Sequence, residues 1–192
     1  MVCLLREIRK LQNSDVGKLV KSRLKEFKQN DHFSELCFCI LTANSRARTA
    51  IRIQDTLGKA GFEKASLDEI RNCIRENKHR FHNNKARYIV EARKCNIKLD
   101  RGWLVENVKG LGYKEASHFL RNIGYEDYAI LDRHILRLMK EHGYIEEVPK
   151  SLTGKKYLEI EQVFKRIAKR LNMSAAELDM YMWYMKTGEV LK

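Results

Sequence analysis

A glycine pair, an amine and a carboxylate stand close together in the segment Val108–Asp132, VKGLGYKEASHFLRNIGYEDYAILD. Gly110 and Gly112 frame a tight turn whose backbone N–H groups can approach an anion with no Cβ in the way. Lys114 follows in the first turn of an expected helix, whose N-terminal end carries a positive partial charge. Asp132 stands eighteen residues further on, at the start of another expected helix. A reactive amine and a carboxylate on consecutive elements suit nucleophilic and acid–base chemistry. Each feature also has a plain structural reading. GLG can be an ordinary turn between helices, and Lys114 a solvated lysine that pairs with a phosphate. Asp132 can simply N-cap RHILRLMKEHG, with Gly143 as its C-terminal stop.

The elements that must position these groups are helical. Val16, Leu19, Val20, Leu24 and Phe27 recur at helical spacing early in the chain, as do Tyr157, Ile160, Phe164, Ile167 and Leu171 late in it. Ser66 with Glu69, and Ser174 with Glu177, have capping-box spacing ahead of apolar helices. Gly58, Gly61, Gly143 and the single Pro149 are expected to punctuate helix ends. No stretch alternates with period two and no segment repeats, so an all-α fold of about nine to eleven helices is expected.

The 192 residues carry a formal charge of +13, with acidic residues interspersed among the basic ones. That excess points to a polyanion, with nucleic acid the leading partner, rather than to a disordered basic tail. The alternative is a merely solubilising surface rich in Lys and Glu. MVCLLREIRKLQ is too short and too charged for a signal peptide, and no run of about 18 apolar residues could cross a bilayer. A soluble, intracellular protein, cytoplasmic or nucleoid-associated, is therefore expected. The five cysteines, Cys3, Cys37, Cys39, Cys73 and Cys95, read as reduced core residues rather than a disulfide frame. Neither a metal nor a cofactor is expected: Cys37 and Cys39 lack nearby ligand partners, and there is no late four-cysteine cluster.

The whole stretch resembles the helix-hairpin-helix signature of the DNA glycosylase superfamily. KGLGYKEASHFLRNIG followed by AILDRHILR is similar to the short archaeal-type 8-oxoguanine DNA glycosylase/AP lyase family. CFCILTAN (Cys37 to Asn44) and HRF (His79 to Phe81) resemble that family's earlier landmarks. The likeness runs from about Glu35 to Lys192. Ile130 and Leu131 depart from the wider superfamily, where Gly-Pro or Pro-Val is commoner before the aspartate, but an aliphatic pair is the expected form in the archaeal-type branch. The resemblance implies a two-lobed fold with the active site in the cleft between lobes. One lobe would comprise residues 1–34 plus 127–192, and the other 35–126, with the helix-hairpin-helix at about 100–123.

It also implies roles. Lys114 matches the catalytic lysine and Asp132 the aspartate that closes the motif, so Lys114 would attack the sugar C1′ and hold it as a Schiff base that permits β-elimination of the 3′ phosphate. Asp132 would accept a proton or stabilise positive charge developing on the sugar. Gly110, Gly112 and Tyr113 would present N–H groups to DNA phosphate, giving sequence-tolerant and salt-sensitive binding. Phe81 and Trp183 match family positions of the base pocket, where aromatic faces suit a flipped purine, although either could be core packing. Lys192 matches the terminal residue that helps distinguish 8-oxoguanine from guanine. A carboxylate there could accept from the N7–H that only the oxidised base carries; the other reading is a frayed tail. The implied partner is double-stranded DNA containing 8-oxoguanine or abasic sites, with no membrane and no obligate protein partner. Two other functions fit parts of the pattern: a non-catalytic helix-hairpin-helix DNA-binding protein, and a related glycosylase for oxidised pyrimidines.

Overall fold

The computed structural model describes residues 2–192, with the Cys3 side chain outside the described part. Among the described residues there are eleven helices and no strand, as the periodicity predicts. No described helix is long and apolar enough to cross a membrane. The chain divides into two compact units, Asn30–Ile123 and the pairing of Met1–Gln29 with Gly124–Lys192.

The central-segment unit is built around α3 (His32–Thr42), which is buried at every residue from Glu35 to Thr42. HFSELCFCILT is apolar on all sides, and a helix of that kind is stable only when surrounded. It is enclosed by α4 (Ala47–Lys64), α6 (His82–Ala92) and α8 (Tyr113–Asn122), while α5 (Leu67–Glu76) packs on α4 and α6 and α7 (Arg101–Asn107) on α8. Glu35 is the buried acid of α3. Its Oε2 accepts from Asn122 Nδ2 at 2.8 Å and its Oε1 from Gln54 Nε2 at 3.1 Å, which ties the far end of α8 to the core.

The other unit repeats the plan with α11 (Ala175–Thr187), whose residues Leu178–Met182 are all buried, among α1 (Val2–Gln12), α2 (Asp15–Phe27), α9 (Arg133–Glu141) and α10 (Gly154–Arg170). The late apolar stripe is as expected: Tyr157, Ile160, Phe164, Ile167 and Leu171 are all buried. The early stripe needs a correction, because Leu19 is 46% exposed. Only Asn13 and Ser14 join α1 to α2, and Gly17 is pressed so closely on the end of α1 that a Cβ would stand 2.2 Å from the Gln12 carbonyl oxygen. The buried face therefore runs through Gly17, Val20 and Phe27, and Leu19 turns outward.

The expected breaks after residues 34 and 126 lie slightly downstream of the observed ones, which fall after Gln29 and Ile123. Asp31 caps α3 by accepting from Ser34 N at 2.9 Å and pairs with Lys59 at 2.7 Å, while Asn30 Nδ2 donates to the Asn122 carbonyl at 2.9 Å. These contacts hold residues 30–34 with the central segment. In the other direction, Glu126 pairs with Lys28 at 2.8 Å and its carbonyl accepts from Ala176 N at 3.0 Å.

Helix ends follow local chemistry. Ser66 and Glu69 form the reciprocal capping box, at 3.2 and 2.7 Å. Ser174 accepts from Glu177 N at 3.1 Å, but the Glu177 carboxylate turns to the Tyr181 hydroxyl at 3.3 Å instead of closing a second box. Burial, then the charge of Glu177 and this bond, push the Tyr181 phenol up to about 12. Gly58, at φ 59°, interrupts α4. Gly61 does not end it: it lies inside the last turn, with its carbonyl accepting from Ala65 N at 3.0 Å. Cys37 and Cys39 are fully buried and in no disulfide, whereas Cys73 and Cys95 are only half-buried. Burial raises the Cys37 thiol well above its ordinary range.

Candidate active site

The hairpin is the link between α7 and α8. Asp100 caps α7 through Trp103 N at 2.8 Å, Val108 N donates to the Leu104 carbonyl at 3.0 Å, and Leu111 N closes a turn on the Val108 carbonyl at 3.2 Å. Val108 and Leu111 are buried and anchor the turn, leaving Lys109, Gly110 and Gly112 exposed. Gly110 is required twice over. Its φ is +90°, and a Cβ would stand 2.7 Å from the Tyr88 ring. Gly112 is the N-cap of α8, and Tyr113 is its first helical residue. The start of α8 is therefore at the surface, with Gly112 exposed and Tyr113 half-buried, and a helix N-terminus in that position suits an anion.

Lys114 lies one residue further, 30% exposed, with its Nζ 2.9 Å from Glu115 Oε1. The other oxygen of Glu115, Oε2, accepts from Gly112 N at 3.2 Å. Neighbouring residues on a helix do not normally face each other. Here Glu115 folds back toward the helix start, as in half of a capping box, and Lys114 reaches across to it.

Below this helix start lies a buried polar cluster. Lys85, only 4% exposed, donates to the Leu41 carbonyl at 2.5 Å and to Ser45 Oγ at 2.8 Å. His79 Nε2 stands 2.7 Å from the same carbonyl and 3.2 Å from Lys85 Nζ. Burial first, and then the positive charge of Lys85, lower the His79 pKa against the bond to Leu41, so a neutral ring donating its Nε2–H suits the carbonyl. Burial likewise lowers Lys85 to about 8, helped by the charges of Lys114 and Arg80 and opposed by Glu115. Arg80, Lys85, Lys114 and Glu115 thus share one electrostatic neighbourhood.

Phe81, next to Arg80, is 50% exposed and holds a left-handed conformation, φ 59° and ψ 34°, at the N-cap of α6. The Arg80 guanidinium lies 5.0 Å from its ring centre. An aromatic in this region of backbone space stores strain, and its exposure rules out the core-packing reading.

Asp132, in the other unit, caps α9: its Oδ1 accepts from Ile135 N at 2.8 Å, which leaves Oδ2 outside the cap. The backbone leading into it is clamped by α10. Buried Tyr157 donates to the Ala129 carbonyl at 2.6 Å and accepts from Leu131 N at 3.3 Å, and buried Glu161 accepts from Ala129 N at 3.1 Å. Trp183 is half-buried on α11. His134, two residues beyond Asp132, meets its ring edge-on with centroids 5.3 Å apart, and its Nε1 is buried without a hydrogen-bond partner. Lys192 is half-buried at the end of a tail held by Val190 and by Thr187 Oγ1, which accepts from Glu189 N at 3.3 Å.

The structure thus gathers Gly110, Gly112, Tyr113, Lys114 and Phe81 in one unit, and Asp132, Trp183 and Lys192 in the other. Sequence reasoning passed over Glu115, Lys85 and Glu161, and took Tyr157 only as a member of the late apolar stripe. A signal existed for two of them. Lys85 shares the buried face of α6 with Ala86, Ile89 and Ala92, and Glu161 shares that of α10 with Tyr157 and Phe164. Charged residues on an apolar stripe mark sites where a specific partner must exist. No group of three or more potential metal ligands occurs among the described residues.

A family profile described as 8-oxoguanine DNA glycosylase matches residues 20–173. The 8-oxoguanine DNA glycosylase/AP lyase of Methanocaldococcus jannaschii is 46% identical, with 98% of this chain and 99% of that protein covered. The protein of the same name from Thermotoga maritima is 43% identical, with 98% and 99% covered. The crystal structure of the M. jannaschii glycosylase/lyase in complex with a 15mer DNA containing 8-oxoguanine matches with a TM-score of 0.94 at 45% identity, covering 99% of this chain and 100% of that one. A trapped endonuclease III–DNA covalent intermediate matches at a TM-score of 0.63 and 17% identity, over 88% of this chain and 84% of that one, a likeness of fold alone. Agreement over essentially the full length of these relatives, with the hairpin, Lys114 and Asp132 all inside the matched region, means that the chain belongs to the 8-oxoguanine DNA glycosylase family.

Proposed function

We propose that this protein is a bifunctional DNA repair enzyme that excises 8-oxoguanine from double-stranded DNA and cleaves the resulting abasic site. The observation that carries the mechanism is the position of Lys114, a partly exposed amine two residues past the exposed N-cap glycine of the hairpin helix. A base stacked in a duplex cannot be reached, so the nucleotide must be turned out of the helix. The hairpin N–H groups around Gly110, Gly112 and Tyr113 hold the backbone phosphate, a contact blind to sequence. Phe81, Trp183 and Lys192 are assigned to the base, with Phe81 supplying an exposed ring face for stacking.

Lys114 Nζ forms a bond to C1′ as the C1′–N9 bond breaks and the base departs with a proton. Ring opening converts the adduct to a Schiff base. Loss of a C2′ proton then expels the 3′ phosphate and regenerates no free sugar until the imine is hydrolysed. Asp132 uses Oδ1 to cap α9 and has Oδ2 available to stabilise the positive charge on the sugar or to take a proton. Capping and catalysis are compatible because they use different oxygens. No cofactor or obligate protein partner enters this scheme, and the substrate places the enzyme with the chromosomal DNA inside the cell.

Borohydride trapping on duplexes carrying 8-oxoguanine, an abasic site or an oxidised pyrimidine is the decisive assay. The wild type is expected to form a covalent complex with the first two, and Lys114→Gln with none, while still folding and binding DNA. Undiminished trapping by Lys114→Gln removes the assignment. No trapping by the wild type makes the protein a binder, and a preference for the oxidised pyrimidine changes its substrate.

A further inference from the structure

Glu115 contacts both working parts of the hairpin helix at once. One oxygen is 2.9 Å from the Lys114 ammonium and the other 3.2 Å from the N–H of Gly112. The carboxylate is only 14% exposed on its side chain, so this arrangement is built into the helix start and is not a chance surface pair. In the ion pair Lys114 Nζ is held against Glu115, and a side chain held there is not free to reach an approaching carbon. The same carboxylate occupies an N–H group that the hairpin would offer to DNA phosphate.

We propose that Glu115 is a positioning residue that restrains Lys114 in the DNA-free protein and releases it when a backbone phosphate takes the Gly112 N–H. This rests on the reading of Lys114 as the nucleophile. A phosphodiester arriving at Gly112 competes for the donor and repels the carboxylate, two effects of the same sign. As Glu115 swings away, Lys114 loses the contact that holds its Nζ against the helix start, so docking of phosphate and freeing of the side chain become one event. The consequence is selectivity in time: an amine able to form imines is restrained from soluble aldehydes until DNA is in place.

The test is Glu115→Gln, which keeps an oxygen for Gly112 N–H but removes the charge. Lys114 of the DNA-free protein is labelled with formaldehyde and cyanoborohydride and followed by site-resolved mass spectrometry, with exposed Lys98 and Lys140 as internal references. Labelling of Lys114 should rise about 2- to 5-fold over wild type, the effect expected for losing a partly exposed ion pair, with the references unchanged. The rate of borohydride-trapped complex formation on an abasic duplex should change by less than the DNA-free labelling does, because bound phosphate has already displaced the carboxylate there. If Gln destabilises the fold by thermal melting, Glu115→Asp carries the same test, since it is one methylene too short to reach both partners. Equal Lys114 labelling in variant and wild type overturns the restraint. A rise of the same size on DNA overturns its release by phosphate. Absence of trapping by the wild type overturns the function and the release step together, while the labelling comparison still reports on the ion pair.

Discussion

The Lys85 ammonium lies 2.5 Å from the carbonyl oxygen of Leu41, at the C-terminal end of the buried helix α3. A cation there complements the negative end of the helix and satisfies a carbonyl that has no partner within the helix. The burial that makes this bond possible also opposes the charge that makes it strong. Lys85 is thus held to about 8 instead of its ordinary 10.5.

The sign of the consequence follows from proton linkage. Between about pH 8 and 10.5 the unfolded chain binds more protons at this lysine than the folded one, so its contribution makes stability rise with pH across that window. Below pH 8 the penalty for holding the charge is fully present, and it amounts to no more than about 3 kcal/mol. Lys85→Met should flatten this part of the stability–pH curve. Urea unfolding at intervals from pH 7 to 10.5 measures it, and identical slopes in the two proteins would assign the rise to other groups.

Asp132→Asn keeps an oxygen for Ile135 N and removes the negative charge. Asn caps helices as well as Asp does, so thermal stability should change by less than about 0.5 kcal/mol. Single-turnover release of 8-oxoguanine should fall by a factor on the order of 10² to 10⁴, the range for loss of a positioned acid–base group. Near-normal base release by the Asn variant would leave Asp132 as a helix cap only.

Phe81→Gly separates stability from function in the opposite way. Glycine adopts φ 59° without strain, and Phe81 is half exposed, so the variant should be as stable as wild type or more stable by up to about 1 kcal/mol. Excision of 8-oxoguanine should drop roughly 5- to 150-fold from the loss of one stacking face. Cleavage of a preformed abasic site should persist, because it needs no base. A gel assay on both substrates decides it, and equal losses on the two would move Phe81 out of the base pocket.

Tyr157→Phe removes the hydroxyl that joins the Ala129 carbonyl to Leu131 N. Two buried backbone groups lose their partner, at a cost of about 1–3 kcal/mol in chemical denaturation. The segment before Asp132 would loosen, and base release should slow by about 10-fold as the carboxylate drifts from its working position. Unchanged release with reduced stability would confine Tyr157 to a structural role.

Much of this protein is written in short stretches of sequence. Gly110 had to be glycine for its positive φ, Asp132 and Ser66 had to cap, and the stripe from Tyr157 to Leu171 had to face inward, because each depends on residues within one or two helical turns. The resemblance of the hairpin segment pointed to Lys114 and Asp132 without any knowledge of packing. What periodicity could not decide was which helices would be surrounded, since α3 and α11 acquire their burial from elements far away in the chain. The same holds for the polar groups that packing trapped. Lys85 meets Leu41 across 44 positions, Asn122 meets Glu35 across 87, and Tyr157 reaches Ala129 across 28. Glu115 is the local exception: it meets Lys114, its neighbour in the chain, because its side chain folds back to the Gly112 N–H three residues before it. A local pattern determines which way a side chain points, but the cost of burying a charge is set by partners that only the folded chain brings together.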